Sequence, residues 1–580
     1  MVSSRLRSVA FAAILALVSM LAMVLTWSTL AESAPQTQAA PESGVANIQL
    51  LGVNDFHGNL EPLQTNERTY STAPSGNVEG TITCNGGTAG GAAYLDAYMD
   101  QHAALDPDST IRVHAGDMVG GSPLISSYFH DEPTIEATNL MEFDVGTIGN
   151  HEFDEGGQEM LRLIHGGQRK DGLQFKEDVN GKPVNTSDPN FSGANYPYIS
   201  ANVVYAGSGK NVLKPYEIVK RDGVKVGFIG VTTEETPEIV VPDAVAPFEF
   251  LDISDSVDRY TSELRKKGIE TIVVLAHAGG FHTTATEATG EIITETSEMN
   301  DYVDVVVAGH SHSYLNTVVD GKLIIEGFGL GTAFDTVNLT IDRETGDVIK
   351  ASAEIVPTCN TGITPDAETA ALVAKYDQQI SEIENRVVGT ATTTITPTAD
   401  ADGESALGDL IADAQRAYAD TQIAFMNPGG IRAPIEEGEV TYGELFKVQP
   451  FDNQVVRMDL TGDQIYRLLE QQWQPQADGT IRARILQVSG IKVAYDESKP
   501  IGQRVTSVTL ENGTPLDRTA TYTVAANSFI ATGGDGFTVF EEASDTQETL
   551  GSDLDALEAY VGGTSFGIPT DFGQRITKIG

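Results

Sequence analysis

The sequence has few positive charges. Lys and Arg number 36 among 580 residues, against 82 Asp and Glu, which gives a net charge of −46. A surface of this charge repels polyanions, so we expect no nucleic acid polymer and no anionic membrane as a broad contact partner. A small phosphorylated substrate remains compatible with the charge, because a few Arg residues and a pair of metal ions can dominate the local field.

Cysteine is also scarce, with two in the chain, Cys84 and Cys359. In an exported protein they can form one disulfide, and they can equally remain two free thiols, because the sequence does not show whether they are close in space. No cysteine lies near the small residues that follow the N-terminal apolar run, which excludes a lipid-modified cysteine as an anchor.

Long apolar runs are limited to the N-terminus. Two Arg residues precede the apolar stretch 9–27, and small residues follow as far as Ala34. We therefore predict a signal peptide over residues 1–34, a disordered leader over 35–46, and a secreted or extracytoplasmic location. An uncleaved membrane anchor is the alternative, because an apolar stretch of 19 residues is at the short end of what spans a bilayer.

The length of the chain predicts two domains, since one core does not grow to this size. Over residues 47–362, strand-like runs alternate with helical patterns, which indicates α/β layering. Apolar residues at helical spacing then predict a linker helix within 363–390. The remaining residues, 391–580, form a second, smaller α/β domain with two Gly-rich loops and no internal repeat.

Five strand-like runs of the first domain each lead into residues that can bind a divalent metal. The runs are 48–53, 110–115, 145–148, 271–276 and 303–308. The candidate ligands at their ends are Asp55, His57, Asp117, Asn150, His277, His310 and His312. Ligands of open α/β sheets gather beyond the carboxyl ends of the strands, so the five ends together describe one pocket. Asp, Asn and His suit Mn, Fe, Co or Zn.

Seven candidate ligands are too many for one tetrahedral ion and suit two ions that share Asp117 and a solvent molecule. Paired divalent ions serve the hydrolysis of phosphate esters. His151 follows Asn150 directly, so we expect it beside the ions without binding them, where it can donate hydrogen bonds to phosphoryl oxygens. Asp154 can fix the tautomer and orientation of His151.

These motifs resemble those of the calcineurin-like metallophosphoesterases. The blocks are residues 54–58 (Asn-Asp-Phe-His-Gly), 115–117 (Ala-Gly-Asp), 149–154 (Gly-Asn-His-Glu-Phe-Asp) and 309–312 (Gly-His-Ser-His). Their order, together with the C-terminal loops, resembles one branch, the exported 5'-nucleotidase and UDP-sugar hydrolase family. The resemblance implies an N-terminal four-layer α/β/β/α sandwich followed by a substrate-binding domain.

The resemblance also implies two divalent metal ions, Zn, Mn or Co, and divides the ligands between them. One ion would be held by Asp55, His57, Asp117 and His312, and the other by Asp117, Asn150, His277 and His310. His151 and Asp154 would form the catalytic dyad. The metal used in vivo and the oligomeric state do not follow from the sequence.

The second domain carries the candidate substrate contacts. The residues are Asn427, Gly429, Gly430 and Arg432 in the first Gly-rich loop, Asp535 in the second, and the aromatic residues Phe451 and Phe529. Arg432 suits bidentate recognition of oxygens, and Asp535 can accept hydrogen bonds from ribose hydroxyls. The two Phe rings can sandwich a nucleobase, although a Phe is more often part of a core. The resemblance favours the nucleotide interpretation of both loops.

One segment departs from the family pattern. Family members commonly carry an Arg shortly before the helix that resembles residues 404–410, whereas residues 400–403 here are Asp-Ala-Asp-Gly. Arg416 lies further on and is not taken as a substitute. We therefore expect one phosphate-side contact to be missing or supplied differently, which affects substrate preference more than reaction type.

The sequence thus predicts a secreted dimetal enzyme that releases phosphate from nucleoside 5'-monophosphates and that also hydrolyses, as an extension, nucleoside diphosphates or UDP-sugars. A 2',3'-cyclic-nucleotide 2'-phosphodiesterase with 3'-nucleotidase activity is the alternative enzyme, because it shares the metal blocks. A non-catalytic surface binding protein and a hydrolase of sulfur compounds are the alternatives of other classes. The family also suggests a rotation of the second domain about a hinge within 365–388.

Overall fold

The computed structural model describes residues 44–64, 84, 88–170, 175–177, 182–284, 286–475 and 481–579. The predicted signal peptide and most of the predicted leader lie outside these residues. Within the described part of the chain, no helix combines the length and the apolar character needed to cross a bilayer.

The first domain contains two six-stranded sheets. The strand order of the first sheet is Val348–Pro357, Ala333–Asp342, Val45–Val53, Thr110–His114, Val145–Thr147 and Tyr198–Ile199. The order of the second is Tyr216–Arg221, Val224–Thr232, Thr271–His277, Val305–Ala308, Lys322–Gly327 and Tyr314–Val319. The central strands are buried along most of their length because both of their faces are covered. Every residue of Thr271–His277, for example, is buried.

Helices cover the face of each sheet that points away from the other sheet. On the first sheet these include Ala92–Ala103, Leu124–Ser127 and Glu132–Leu140, and on the second sheet they include Ile253–Lys266 and Glu291–Glu298. Short helices Gly157–His165, Thr236–Ile239 and Pro242–Val245 lie in the connections. The four layers are therefore helix, sheet, sheet and helix, as the resemblance implied.

The helix Ala367–Glu384 forms within the segment predicted as a linker. Asp366 caps its N-terminus by accepting hydrogen bonds from the next turn. Tyr376 and Ile380 are buried against helices of the first domain, and the Tyr376 hydroxyl donates to Glu136 at 3.0 Å. This helix therefore packs as part of the first domain. A hinge, which stays a prediction, would be expected beyond Glu384 rather than within the helix.

The second domain is built on a five-stranded sheet with the order Gln487–Ser489, Ile423–Met426, Thr521–Asn527, Gln454–Thr461 and Glu548–Ser552. Two three-stranded sheets flank it, one of Gly438–Thr441, Val387–Ala391 and Ser565–Phe566, the other of Val505–Leu510, Ile491–Tyr495 and Ile576–Lys578. Its helices include Ala406–Ala419, Tyr442–Val448, Gly462–Glu470 and Asp553–Val561. Several begin with a capping box, in which the N-cap and the N3 side chains exchange hydrogen bonds with the backbone, as at Thr441 and Glu444.

The two cysteines form a disulfide. The Cα atoms of Cys84 and Cys359 lie 5.4 Å apart, and the bond spans 275 residues. It joins the loop that precedes the helix Ala92–Ala103 to the end of the edge strand Val348–Pro357. Of the two alternatives that the sequence left open, the structure has the bonded one.

Candidate metal centre and active site

The five predicted strand ends meet at one place. Val45–Val53, Thr110–His114 and Val145–Thr147 are parallel neighbours in the first sheet. Thr271–His277 and Val305–Ala308 are parallel neighbours in the second. The ligands therefore come from the carboxyl ends of two facing sheets rather than from one open sheet, and the site lies where these two edges meet.

The backbone turns sharply at most of the candidate ligands. Asp55, His57, Asp117, His310 and His312 have φ angles of 50°, 48°, 50°, 81° and 49°. Non-glycine residues avoid this left-handed region, and each such residue costs about 1–3 kcal/mol unless its surroundings hold it. The turns let consecutive side chains leave a strand end toward one point.

Glu152 supplies part of the support for these turns. Its buried carboxylate accepts hydrogen bonds from the backbone N–H groups of Asp117 at 3.0 Å, Met118 at 2.9 Å and Gly149 at 2.5 Å. It thereby ties the loop of Asp117 to the loop of Asn150. The sequence motif contains Glu152, but sequence reasoning assigned it no role.

One group of ligand atoms belongs to Asp55, His57 and His312. His312 Nε2 lies 3.3 Å from Asp55 Oδ1 and 3.1 Å from His57 Nε2. His57 Nε2 also lies 3.7 Å from Asp117 Oδ2. These are the four residues that the resemblance assigns to one ion.

The second group belongs to Asp117, Asn150, His277 and His310. His277 Nε2 lies 3.0 Å from Asp117 Oδ2 and 3.1 Å from Asn150 Oδ1. Ligand atoms of Asp117, His277 and His310 all lie within 4.8 Å of one another. Asp117 thus stands between the two groups. The structure brings all seven candidate ligands together, while their assignment as metal ligands stays a prediction.

The donor atoms fit divalent cations. His57 Nδ1 lies 2.8 Å from the carbonyl oxygen of Gly120, and His277 Nδ1 lies 2.9 Å from that of Ala115. Each ring can donate to its carbonyl through Nδ1, which turns Nε2 toward the carboxylates. Burial lowers the pKa of His57 well below its usual value and that of His310 to about 3, so both rings are neutral.

The electrostatics at Asp117 also favour a positive charge. Burial by itself lowers the pKa of His277, but the adjacent Asp117 carboxylate outweighs burial and raises it to about 10. The Asp117 carboxylate that stabilises a proton on His277 would stabilise a divalent metal ion at the same position.

His151 and Asp154 form a hydrogen-bonded pair beside this cluster. His151 Nδ1 lies 2.8 Å from Asp154 Oδ2, and the centre of the His151 ring lies 4.8 Å from that of His57. Burial lowers the pKa of His151, but Asp154 and Asp117 outweigh it, so that the pKa is raised overall. The geometry suits the predicted dyad, whose catalytic role remains a prediction.

A cavity of about 240 Å³ joins the dyad to the second domain. From the first domain it is lined by Asp117, Asn150, His151, Asp154, His310 and His312. From the second domain it is lined by all seven predicted substrate residues, Asn427, Gly429, Gly430, Arg432, Phe451, Phe529 and Asp535. Phe451 lies parallel to the His151 ring at 5.9 Å, and the Arg432 guanidinium lies 5.7 Å from the Phe451 ring. One pocket therefore combines candidate metal ligands, the His151 and Asp154 pair and two aromatic rings, one of which stacks on His151.

Three apolar residues of the first domain, Ile239, Val240 and Val241, also line the cavity. Ile239 ends the helix Thr236–Ile239, which packs against the second Gly-rich loop, and the two Val residues follow it. Sequence reasoning missed them, because three aliphatic residues in a connection give no signal of a binding role.

The segment that lacks the family Arg contributes no basic side chain. Arg416 extends away to pair with Glu511 at 2.5 Å. Arg432 is the basic residue in the described lining of the cavity. On its other side, Arg432 lines a second chamber of about 470 Å³ together with His312, Lys447 and Glu61.

The family models agree with this architecture. Residues 48–314 match the model for the calcineurin-like phosphoesterases, and residues 387–542 match the model for the 5'-nucleotidase C-terminal domain. The chain belongs to the calcineurin-like phosphoesterases, a family that depends on two metal ions. Within that family it belongs to the branch that carries the 5'-nucleotidase C-terminal domain.

Individual proteins support the same assignment. The chain is 36% identical over 504 residues to endonuclease YhcR of Bacillus subtilis (strain 168), covering 87% of this chain and 38% of YhcR. It is 34% identical over 539 residues to cell wall protein Lmo0130 of Listeria monocytogenes serovar 1/2a, covering 88% of this chain and 66% of that protein. The crystal structure of a 5'-nucleotidase precursor from Thermus thermophilus superimposes with a TM-score of 0.74 and 28% identity, covering 92% of this chain and 99% of that one. The chain thus spans less than two thirds of the length of the first two relatives.

Proposed function

We propose that this protein is a secreted hydrolase that uses two divalent metal ions to release phosphate from nucleoside 5'-monophosphates. One observation carries the proposal. The cavity lined by the clustered ligands and His151 is also lined by Phe451, Phe529 and Asp535. A nucleotide needs this combination of chemistry, because it carries a phosphate, a ribose and a base within one small molecule. The likeness to a 5'-nucleotidase precursor of known structure adds support.

Asp55, His57, Asp117 and His312 would hold one ion, and Asp117, Asn150, His277 and His310 the other. When bound, the ions supply Lewis-acid activation of the phosphate and of a water molecule. Zn, Mn and Co all suit this mixed set of carboxylate, amide and imidazole ligands.

His151 donates a hydrogen bond to the phosphoryl oxygens as charge builds on them in the transition state. Asp154 accepts from His151 Nδ1, which keeps Nε2 free to face the substrate. Both residues line the cavity, so they are within reach of a bound phosphate.

The second domain provides the binding energy for the nucleoside. Phe451 and Phe529 stack on the base, which is worth about 1–3 kcal/mol for each stacked base. Asp535 accepts hydrogen bonds from the ribose hydroxyls, and Arg432 binds oxygens on the phosphate side. Asn427, Gly429 and Gly430 shape the loop against which the ribose lies.

Small nucleotides are favoured over polymers as substrates. YhcR is named as an endonuclease, but a net charge of −46 opposes the approach of a nucleic acid, and the cavity has a volume of about 240 Å³. The 2',3'-cyclic-nucleotide phosphodiesterase alternative shares the metal ligands and is distinguished by substrate. A non-catalytic role is disfavoured, because every ligand and dyad position is filled.

The second chamber favours one extension of this activity. A UDP-sugar carries a sugar beyond the phosphate that is attacked and needs space on the far side of Arg432, whereas a nucleoside diphosphate ends at that phosphate. The chamber with Lys447 and Glu61 lies there. Lys447→Ala should lower the rate for UDP-glucose relative to AMP if the extension is correct, and an unchanged ratio would argue against it.

An extracytoplasmic location is supported by three observations. The N-terminal sequence has the pattern of a signal peptide, the two cysteines are joined, and one relative is named as a cell wall protein. N-terminal sequencing of the protein from the culture medium or cell envelope would test both the location and the predicted cleavage before residue 35.

Phosphate release by the purified protein is the decisive experiment. The metals are stripped and Mn, Co or Zn is restored separately, with AMP, 3'-AMP, 2',3'-cyclic AMP, ADP and UDP-glucose as substrates. We expect metal-dependent release from AMP with little from the cyclic compound. Preference for cyclic AMP and 3'-AMP would move the protein to the phosphodiesterase class. No turnover with two ions bound would favour a binding protein.

A further inference from the structure

A short hairpin outside both Gly-rich loops contacts the candidate ribose-binding residue. Its strands are Trp473–Pro475 and Ile481–Ala483, which pair antiparallel, and Arg484 follows the second strand directly. Neither the hairpin nor Arg484 lines the cavity among the described lining residues. Any effect of Arg484 on a ligand therefore passes through another residue.

That residue is Asp535, which is held at three points. Asn427 donates to Asp535 Oδ2 at 2.8 Å, and Arg484 Nε lies 3.3 Å from Asp535 Oδ1. Gln474, on the first hairpin strand, donates to the backbone carbonyl of Asp535 at 2.5 Å and also accepts from Arg484. Asp535 has a left-handed φ of 57°, so its side chain points into the cavity only while the loop keeps this turn.

The positive charge of Arg484 stabilises the buried carboxylate of Asp535. The Asp535 and Arg484 side chains are 10% and 12% exposed, and a carboxylate so deeply buried is costly without a partner. Burial raises the pKa of Asp535 overall, while Arg484, then Asn427 and Arg482, act in the opposite direction and favour the ionised form. An ionised carboxylate accepts hydrogen bonds with both oxygens, which is the form that suits a pair of ribose hydroxyls.

We infer that Arg484 is a positioning residue for nucleoside recognition, which holds the Asp535 carboxylate oriented as an acceptor for the ribose hydroxyls. This inference rests on the proposed function, because it takes the ribose as the group that Asp535 meets. It adds a contact outside both Gly-rich loops.

The same hairpin offers a matched control. Arg482, two residues before Arg484, pairs across the domain boundary with Glu235 of the first domain at 2.6 Å. Glu235 precedes the helix Thr236–Ile239, which packs against the second Gly-rich loop. Arg482→Gln removes one positive charge from the hairpin but no hydrogen bond or ion pair of Asp535. For Asp535 it removes only the longer-range attraction between Arg482 and that carboxylate, so it separates the loss of a direct contact from the loss of a nearby charge.

The test compares AMP with 2',3'-dideoxy-AMP, which lacks both ribose hydroxyls, in Arg484→Gln, Arg484→Lys and Arg482→Gln. We expect Arg484→Gln to raise the KM for AMP about 10-fold, since hydrogen bonds to charged groups are stronger than those between neutral groups. The KM for dideoxy-AMP should change much less. Arg484→Lys should recover part of the loss, and Arg482→Gln should keep the wild-type ratio of the two KM values.

Calorimetric binding of adenosine and 2',3'-dideoxyadenosine to the metal-free protein separates this inference from the proposed activity. Preference of the wild type for adenosine that is lost in Arg484→Gln supports the inference, even if AMP proves not to be hydrolysed. Equal loss for both compounds in Arg484→Gln, or the same loss in Arg482→Gln, would assign Arg484 a structural role and overturn it. A wild type that turns over AMP but does not distinguish the two nucleosides would overturn it as well.

Discussion

The candidate metal ligands and the proposed nucleoside contacts line one cavity and are built differently. Every candidate metal ligand belongs to the first domain and sits at the end of a buried strand, and five of the seven have a left-handed backbone. The proposed nucleoside contacts come from loops of the second domain and from the aliphatic residues 239–241, with a hairpin held against Asp535. In the proposed enzyme the reaction chemistry therefore lies in a frame of buried strands, whereas substrate choice depends on loops that can change without disturbing that frame.

Removing Asp117, the residue shared by the two groups of candidate ligands, should abolish metal binding at both. Asp117→Ala deletes the carboxylate that stands between His57 and His277. We expect both ions to be lost and phosphate release to fall by on the order of 10⁴-fold or more, toward the uncatalysed rate. Metal analysis of the purified variant checks the cause, and two ions still bound would contradict the shared role of Asp117.

His151→Ala should separate the metal ligands from the dyad. The ring donates to substrate in the proposed mechanism and holds no ion, so kcat should fall roughly 10²–10⁴-fold while both ions stay bound. His165, an exposed histidine of the first domain, provides the control variant His165→Ala. A kcat close to that of the wild type would remove His151 from the dyad.

Asp154→Asn should lower kcat less than His151→Ala does, because it changes the residue that orients His151. The amide keeps the size of the side chain but weakens the charge-assisted hydrogen bond to His151 Nδ1, now 2.8 Å long. Residues that orient a neighbour in this way are typically worth about 10–100-fold in activity. The measurement is kcat with metal content in parallel. A loss as large as that of His151→Ala would indicate that Asp154 contacts the substrate itself.

Phe529→Ala should weaken nucleoside binding and leave the candidate metal ligands unchanged. Loss of one stacking face should raise the KM for AMP roughly 10-fold or more, while the KM for an aryl phosphate that has no nucleobase should rise far less. Tyr302→Ala, at an exposed aromatic residue of the first domain, serves as the control. Equal effects on both substrates would mean that the Phe529 ring only packs in the core.

The smallest expected effect on catalysis is that of the disulfide. Replacing both cysteines, as Cys84→Ser with Cys359→Ser, should lower the free energy of unfolding by about 2–4 kcal/mol and leave the KM for AMP unchanged. Thermal melting and steady-state kinetics on the same sample test this. A raised KM without a lowered melting temperature would show that the bond shapes the active site instead of stabilising the domain.

The strand-end ligands could be located from the sequence because each lies within a few residues of an apolar run. A short motif such as residues 309–312 fixes both the end of a strand and the side chains that follow it. The helices Ala367–Glu384 and Ala406–Ala419 were predictable for a related reason, since their periodicity is local. The seven ligands then meet because the parallel strands of the two sheets end where the two sheet edges meet.

The features that the sequence could not reveal depend on contacts between residues that are far apart in the chain. Nothing near Arg484 indicates that it lies beside Asp535, which is 51 residues later, and nothing near Val240 indicates a pocket wall. The pairing of Cys84 with Cys359 was undecided for the same reason. The ligand strands also divide between two sheets, whereas strand-end motifs alone described one pocket without the sheet that supplies each side.

The long separation of the two cysteines also determines when during synthesis the disulfide can form. Its two ends are 275 residues apart, so the bond encloses all seven candidate ligands except Asp55 and His57, together with nearly all of both sheets. During synthesis, Cys84 cannot meet its partner until residue 359 has been made, and by then all seven candidate ligands and the strands of both sheets are already in the chain. The bonded form therefore contains the whole set of candidate ligands, and a thiol-reactive label would distinguish it from chains that are still too short to form the bond.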